Sequence, residues 1–181
     1  ITEKIDGIRS MILMYPSKGE CYVITNKSKH GVVFINIDID PDIDMVILDS
    51  EEVDDQYYVF DILHYQSPLH STNTHFKYLY NEPFTSRKSH MSKIIDNYDF
   101  LHHKHYAELS SENFADQFKL FYDTVNQLHY EIDGLILFEK NKSYNTMNQY
   151  KWKPIMTIDF VAKKCPRHLL GINPYIIKKN K

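Results

Sequence analysis

The sequence predicts an α+β fold, because strand-like runs occur towards both ends of the chain and a helical pattern lies between them. Apolar or alternating runs separated by polar turns predict an antiparallel meander at residues 10–15, 20–25, 32–39, 45–48 and 56–63. In the middle, apolar residues at helical spacing predict an amphipathic helix over residues 112–129. Residues 132–139 and 155–162 again have the composition of strands.

The region between the front strands and this helix has a looser pattern. The acidic residues 49–55 predict a turn, and residues 67–108 are polar and rich in His and Tyr, with a helix over 89–100. We therefore expect this region to be an insertion or lid more than core. Ser111 is the expected N-cap of the following helix, whose apolar stripe is expected to be core. The stripe consists of Phe114, Phe118, Phe121, Val125 and Leu128.

Composition limits the class of protein. The chain has 181 residues, 43% of them apolar, which is enough for one sizeable core and excludes a disordered chain. No apolar run is long enough to cross a bilayer. The net charge is only −3, so contact with RNA would need a local basic patch. Cys21 and Cys165 lack metal-ligand spacing, which indicates a reducing, intracellular and most simply cytoplasmic location.

A cluster of histidines, His102, His103 and His105, superficially suggests a metal site. These residues lack a second pair of ligands at metal-binding spacing and lie among charged residues. We therefore expect them on a surface helix or loop.

The first chemical motif lies at the start of the chain, where Lys4, Asp6, Gly7 and Arg9 occur close together. A deprotonated amine can act as a covalent nucleophile, and a guanidinium binds phosphate or ribose oxygens through a planar fork. Taken alone, the motif more readily indicates an ordinary solvated strand and turn, because Asp-Gly is a common turn signal. The meaning of the motif therefore depends on matching residues further along the chain.

A second chemical group lies near the other end. The Ile-Asp-Gly pattern recurs at Asp133 and Gly134, in a chain with only 5 glycines. Beyond it, Lys151 and Lys153 flank Trp152, and alternation along a strand would place both lysines on one face. Two cations on one face repel each other unless an anion lies between them. A bound phosphate therefore explains this pattern better than a solvated strand face.

These residues form an ordered series that resembles the motifs of the covalent nucleotidyltransferases, which comprise mRNA-capping guanylyltransferases and ATP-dependent polynucleotide ligases. In motif order I, III, IIIa, IV and V, the matching residues are Lys4-x-Asp6-Gly7-x-Arg9, Asp49-Ser50-Glu51, Tyr58-x-Phe60-Asp61, Asp133-Gly134-Leu135-Ile136, and Lys151-Trp152-Lys153-Pro154 followed by Thr157-Ile158-Asp159-Phe160. The resemblance spans almost the whole chain. The last two motifs are similar to those of capping enzymes, because ligases generally carry Glu-Gly in motif IV and lack this tail.

The resemblance implies a nucleotidyltransferase fold, the ATP-grasp-like ligase and capping fold of antiparallel sheets flanked by helices. It also implies an mRNA guanylyltransferase, in which a lysine accepts GMP from GTP and passes it to the 5′-diphosphate end of RNA. By their positions in the motifs, Lys4 would be the nucleophile, forming a lysyl-Nζ–GMP intermediate. The other expected catalytic residues are Asp133, Lys151 and Lys153.

Nucleotide-binding and metal-binding residues follow from the same resemblance. Phe60 would stack on guanine, and Arg9 with Glu51 would hold the ribose. The expected nucleotide-binding residues are Arg9, Glu51, Phe60, Asp6 and Lys27, the last being the basic residue after the third front strand. The expected ligands of Mg²⁺ or Mn²⁺ are Asp133, Glu51 and Asp159.

Two features depart from the family pattern. Ser50 replaces the usual glycine of motif III, and the closing motif of the OB-fold domain is absent. We expect a nucleotidyltransferase domain over residues 1–162, with a helical insertion at about 67–129. Residues 163–181 would be a linker or the start of an OB-fold domain that is missing or truncated.

The position of the expected nucleophile, so close to the start, suggests a domain cut from a longer polypeptide. We expect a viral or linear-plasmid capping enzyme with fused triphosphatase or methyltransferase domains and no membrane partner, acting in the cytoplasm, a virion or a viral replication site. Two alternatives stay open: an ATP-dependent RNA or DNA ligase, and a non-catalytic RNA-binding or assembly module of the same fold.

Overall fold

The computed structural model describes residues 1–25, 31–67, 77–155, 160–164 and 175–179. The strands among them are β1 Thr2–Ile5, β2 Ile8–Tyr15, β3 Glu20–Thr25, β4 Val32–Asn36, β5 Met45–Val53, β6 Gln56–Gln66, β7 Lys77–Tyr78, β8 Leu101–His103, β9 Ile132–Phe138, β10 Gln149–Trp152, β11 Phe160–Lys164 and β12 Tyr175–Lys179. The α-helices are α1 Phe84–Ile95 and α2 Phe114–Val125. The predicted α+β class is therefore confirmed.

The larger sheet is built from the front of the chain. Its strands follow the order β4-β3-β2-β5-β6-β7, and β8 also pairs with β6. All of these pairings are antiparallel except that of β8 with β6. The predicted antiparallel pairing is confirmed, but the predicted meander is wrong after β4, because β5 returns to pair with β2 and not with β4. β4 also ends at Asn36 and not at residue 39.

The acidic stretch that we expected to form a turn is mostly strand. β5 continues to Val53, and only Asp54 and Asp55 form the turn, with φ values of 51° and 61°. Aspartate tolerates this left-handed region better than most residues, because its short polar side chain can bond locally. Asp49 and Glu51 therefore project from a strand of the sheet, with its fixed alternation.

Helix α1 starts and ends earlier than the predicted helix at 89–100. Its residues Met91, Ile94 and Ile95 are buried in the main core with Leu48 and Ile62 of the large sheet. Burying these three apolar side chains contributes about 1.5–3 kcal/mol for each. This helix is part of the core, contrary to the expectation of a lid, whereas the boundaries of the insertion stay a prediction.

A second sheet has the order β1-β9-β10 and packs against α2. The helix starts at Phe114 after Asn113, and no side chain caps it, so the predicted N-cap at Ser111 is wrong. Phe121 and Val125 are buried against Leu135 of β9, as their spacing predicts. Phe114, at the exposed end of the stripe, is 45% exposed.

Asp6 and Gly7 carry the chain from the smaller sheet to the larger one. A Cβ atom at Gly7 would lie 2.5 Å from the carbonyl oxygen of Glu52, so only glycine permits this close passage. Lys4 and Arg9, which belong to one sequence motif, consequently lie on two different sheets.

The end of the chain forms a small antiparallel pair, β11 with β12. The predicted strand at 155–162 agrees with β11 only from Phe160 onward, and residues 156–159 lie outside the described residues. Neither described helix is both long enough and apolar enough to cross a membrane.

Candidate active site

Lys4, Asp133 and Lys153 form one charged cluster. The Nζ atom of Lys4 lies 2.6 Å from Oδ2 of Asp133, and Nζ of Lys153 donates to the same oxygen. Hydrogen bonds from Lys153 and then Lys4 hold the pKa of the Asp133 carboxyl below its usual value. The lysine side chains are 20% and 30% exposed, so a ligand can reach them from solvent. Two amines that share one carboxylate oxygen are close enough to share a phosphate.

A β-bulge produces this geometry. Glu3 pairs with Leu135 and Ile5 with Ile132, so Lys4 opposes both Asp133 and Gly134 on β9. Gly134 has a φ of +126°, and a Cβ atom at this residue would lie 2.0 Å from the carbonyl oxygen of Trp152 on β10. The missing side chain therefore lets β10 approach β9 closely, which brings Lys153 to Asp133.

Lys151 and Trp152 are neighbours on β10, but one side chain faces solvent and the other packs against a helix. Trp152 packs edge-on against Phe118 and Tyr122 of α2, with ring centroids 5.1 Å away in both cases. Lys151 is exposed and makes no ion pair with any of the described residues. The structure therefore brings Lys153 into the cluster but leaves Lys151 at its solvent side.

Arg9 forms a bidentate ion pair with Asp49, a residue to which the sequence assigned no role of its own. Its Nε and Nη2 atoms donate to Oδ1 and Oδ2 of Asp49 at 3.0 and 2.6 Å. The hydroxyl of Tyr144 donates to Oδ2 at 2.7 Å. The hydrogen bond to Asp49 raises the pKa of Arg9. Asp49 is buried whereas the Arg9 side chain is 61% exposed, so the pair anchors a guanidinium that stays accessible.

Three further residues lie between these clusters. Glu51 is half-buried, and burial raises the pKa of its carboxyl while Lys104, Lys4 and Arg9 lower it. The ring centroid of Phe60 lies 5.6 Å from Nζ of Lys104 and 5.8 Å from Cζ of Arg9. Two cations next to one aromatic ring define a site suited to an electron-rich, anionic ligand.

Lys104 is a candidate site residue that sequence reasoning missed. Its side chain is only 6% exposed, and among the described residues it has no hydrogen-bond partner. Burial lowers its pKa, an effect that Glu3 and Glu51 oppose. In the sequence, Lys104 lies among histidines, and no local pattern distinguishes it from a lysine on the surface.

A second bulge places Phe60. Asp49 pairs with Asp61 and Ser50 with Val59, which leaves Phe60 as the extra residue on β6. The departure from the family motif is also accommodated here, because the buried Ser50 donates its hydroxyl to the carbonyl of Ser10 at 2.8 Å.

Other expected residues are not brought into the clusters. The Asp6 side chain is exposed and forms no ion pair within the described part of the chain. Lys27 and Asp159 lie outside the described residues. The histidines at 102 and 103 lie on β8, a strand and not the helix or loop that we expected. No three His, Cys, Asp or Glu residues of the described part converge as a ready metal site.

Arg87, which lies in the predicted insertion, has a structural environment. It forms a fully buried bidentate pair with Asp61, at 2.6 Å to Oδ1 and 2.8 Å to Oδ2. Burial raises the pKa of Asp61, and the guanidinium partly offsets this effect. The pair joins α1 to β6 and supports the strand that carries Phe60.

Comparison with known proteins supports the predicted resemblance. No family model matches the chain. It is 29% identical to the mRNA-capping enzymes of African swine fever virus isolates Warthog/Namibia and Tick/South Africa, and 28% identical to that of the Badajoz strain. Each match covers 99% of this chain and 20% of the relative, so the chain spans about a fifth of their length. The predicted resemblance to mRNA-capping enzymes is therefore confirmed over almost the whole chain.

Proposed function

We propose that this chain is the guanylyltransferase domain of an mRNA-capping enzyme with a nucleotidyltransferase fold. It transfers GMP from GTP, through a phosphoramidate on Lys4, to the 5′-diphosphate end of RNA. The observation that best supports this proposal is that Lys4 and Lys153 share one oxygen of Asp133, at the position expected for the nucleophile. The similarity to viral capping enzymes supports it independently.

The reaction has two balanced steps. In the first, the deprotonated Nζ of Lys4 attacks the α-phosphorus of GTP. A nitrogen–phosphorus bond forms as the amine gives up one proton, the bond to the bridging oxygen breaks, and pyrophosphate leaves. In the second step a terminal oxygen of the RNA diphosphate attacks the same phosphorus. The nitrogen–phosphorus bond breaks, and the lysine amine regains a proton.

The other lysines act on the phosphate charge. Lys153 already reaches the oxygen that binds Lys4, so its ammonium would neutralise charge that develops on the α-phosphate. Lys151, exposed on the neighbouring strand, would approach the phosphates from the solvent side. Asp133 would orient both amines through the contacts that it makes in the free protein.

The nucleotide would lie between the motif residues of the smaller sheet and those of the larger sheet. Phe60 offers a stacking surface for the base, and Arg9 with Glu51 would bind the ribose. A base stacked on Phe60 would lie within reach of the buried Lys104. Guanine presents the acceptors O6 and N7 to such a donor, whereas adenine presents an amino group beside N7. A lysine at this position therefore favours GTP over ATP.

A divalent ion would assist at the phosphates. Mg²⁺ is usually held by one or two carboxylates together with substrate phosphates, so the lack of three converging ligands in the described residues does not conflict with it. Asp133 and Glu51 supply hard oxygen ligands, and Asp159 is the third residue expected from the motifs. The ion would neutralise phosphate charge during the transfer.

We also propose which domains accompany this chain and where the reaction takes place. Because the relatives are several times longer than this chain, we propose that triphosphatase or methyltransferase domains are fused to it. We place the reaction in the cytoplasm, a virion or a viral replication site.

Incubation with GTP labelled at the α-phosphorus, with Mg²⁺ or Mn²⁺, tests the proposal on a denaturing gel. We expect an acid-labile adduct with GTP, its loss in Lys4→Ala, and its retention in Lys140→Ala. Lys140 is a suitable control because it is a lysine that pairs with Glu108 outside the cluster.

Other outcomes would contradict the proposal in different ways. An adduct formed only with ATP would identify a ligase. Absence of an adduct with either nucleotide and either metal would support the non-catalytic module.

A further inference from the structure

A cavity of about 430 Å³ lies beside β8 and is lined mainly by ring side chains. The rings of His102, Tyr58, Tyr130 and His129 form a continuous cluster. Successive centroids are 5.2 Å apart between His102 and Tyr58, 4.4 Å between Tyr58 and Tyr130, and 5.1 Å between Tyr130 and His129. The volume lies within the range of small-molecule sites and suits a planar heterocycle.

Hydrogen bonds hold these rings in place. The Tyr58 hydroxyl lies 3.0 Å from Nε2 of His129, and Nε2 of His102 lies 2.6 Å from Oε1 of Gln56. The Tyr130 hydroxyl donates to the buried Glu3 at 3.0 Å. Because the rings are already ordered, a ligand that stacks on them would not have to fix their rotamers on binding.

The lining favours a base over a phosphate. No lysine or arginine lines this cavity among the described residues, so the basic patch that contact with RNA requires must be supplied by Lys4 and Lys153 of the candidate active site. The histidines do not form part of any three-residue metal group in the described part of the chain. Aromatic and imidazole rings stack on unpaired bases, and their ring nitrogens and the Gln56 amide can bond to base edges.

The cavity adjoins the candidate active site through residues that are neighbours in the chain. Its wall includes His105, whose backbone N–H donates to Glu3 at 3.1 Å, and Glu3 immediately precedes Lys4. The same short run carries Lys104, which reaches the ring of Phe60. Glu3 and Lys4 point to opposite faces of β1, so an RNA chain held in the cavity would pass around this strand over a few nucleotides to reach Lys4.

We propose that this cavity binds one unpaired base of the acceptor RNA, a few nucleotides from the diphosphate end. This inference rests on the proposed function, because it takes RNA as the acceptor. The base stacks on the more accessible rings of His102 and His129, which the buried rings of Tyr58 and Tyr130 support from below, while the phosphates remain outside the cavity.

Binding of a short 5′-diphosphate oligoribonucleotide, labelled at its 3′ end, tests this proposal by fluorescence anisotropy. The double variant His102→Ala/His129→Ala is expected to weaken RNA binding about tenfold, as loss of one stacked base does. His90→Ala, which removes an imidazole outside the cavity, is the matched control. Thermal unfolding checks that both variants fold. Tyr58→Phe is a milder second variant, because it removes only the hydroxyl that bonds to His129.

A crosslinking measurement locates the base. With 4-thiouridine placed singly at each of the first nucleotides, we expect one position to crosslink to peptides containing His102 or His129. Unchanged RNA affinity in the folded double variant, or crosslinks that map only elsewhere, would overturn the proposal. In that case the cavity would suit an aromatic side chain of a protein partner instead.

Adduct formation from GTP alone, without RNA, separates this inference from the proposed function. If the double variant loses RNA affinity while no GMP adduct forms even in the unaltered protein, the cavity stands and the guanylyltransferase proposal fails. If the adduct forms normally and RNA binding is unchanged by the variants, only the cavity proposal fails.

Discussion

The hydroxyl of Tyr144 donates to Oδ2 of Asp49 at 2.7 Å, at the point where Arg9 binds the same carboxylate. The Nη2 atom of Arg9 in turn donates to the Tyr144 oxygen at 2.8 Å. Tyr144 lies between β9 and β10 of the smaller sheet, whereas Asp49 lies on β5 of the larger one. This contact therefore joins the loop between β9, which carries Asp133, and β10, which leads to Lys153, to the strand pair of β2 and β5.

The segment around Tyr144 is itself anchored. Its backbone N–H donates to the carbonyl of Tyr80 at 2.9 Å, and the N–H of Phe84 donates to the carbonyl of Lys142 at 3.1 Å. Arg87 also donates to the Lys142 carbonyl, at 3.3 Å. The tyrosine hydroxyl is thus presented to Asp49 by a backbone that is held at several points.

Tyr144→Phe should raise the KM for GTP in adduct formation about fivefold, because one hydrogen bond of about 1 kcal/mol that orients Arg9 is lost. The maximal rate at saturating GTP should change much less, since Lys4 and its partners are untouched. Tyr80→Phe is the matched control, because the Tyr80 hydroxyl bonds to none of the described residues. Equal KM values for the two variants would show that the contact does not position Arg9.

Gly134→Ala should abolish or strongly reduce adduct formation and lower the free energy of unfolding by more than about 2 kcal/mol. A methyl group there would overlap the carbonyl oxygen of Trp152 and would also occupy a disfavoured φ of +126°. Gly31→Ala is the comparison, because its φ is +64° but its nearest atom is 3.4 Å away. Urea unfolding and the labelled-GTP gel measure both effects, and similar losses for the two variants would contradict the close-approach argument.

Arg87→Met should lower the free energy of unfolding by about 3–5 kcal/mol, because it leaves the Asp61 carboxylate buried without its partner. The double variant Arg87→Met/Asp61→Leu should recover most of this loss, since no buried charge then remains. Urea denaturation of the three proteins checks the expectation. A double variant no more stable than Arg87→Met would show that the pair is not the cause.

His102→Gln should make stability less dependent on pH between about 5 and 7.5. Burial, with smaller contributions from His129 and His103, lowers the pKa of His102 below its usual value of 6.5. The unfolded chain therefore binds this proton more readily, so the unaltered protein is stabilised above pH 6.5 and loses that stability as the pH falls. Unfolding curves across this pH range measure the slope, with His90→Gln as the control. An unchanged slope would mean that His102 contributes nothing to it.

The motifs predicted that certain residues of the smaller sheet would belong to one candidate site. Lys4, Asp133 and Lys153 were all expected from their motifs, and the structure places them in contact. Asp49, Tyr144 and Lys104 were not assigned a role, since each owes its position to contacts across long stretches of chain. Tyr144 lies 95 residues from Asp49 in sequence, and no local pattern reports such a partner.

The amino-acid sequence was sufficient to predict the α+β class, the antiparallel front strands, the apolar face of α2 and the order of the chemical motifs. These properties depend on side-chain periodicity and local turn chemistry, which short stretches of chain carry on their own. The end of β5, the place of α1 in the core and the carboxylate that each cation binds became clear only from the folded structure. Those outcomes depend on strand register, two β-bulges and burial, which arise only when distant segments pack and charged groups must find partners as they lose water.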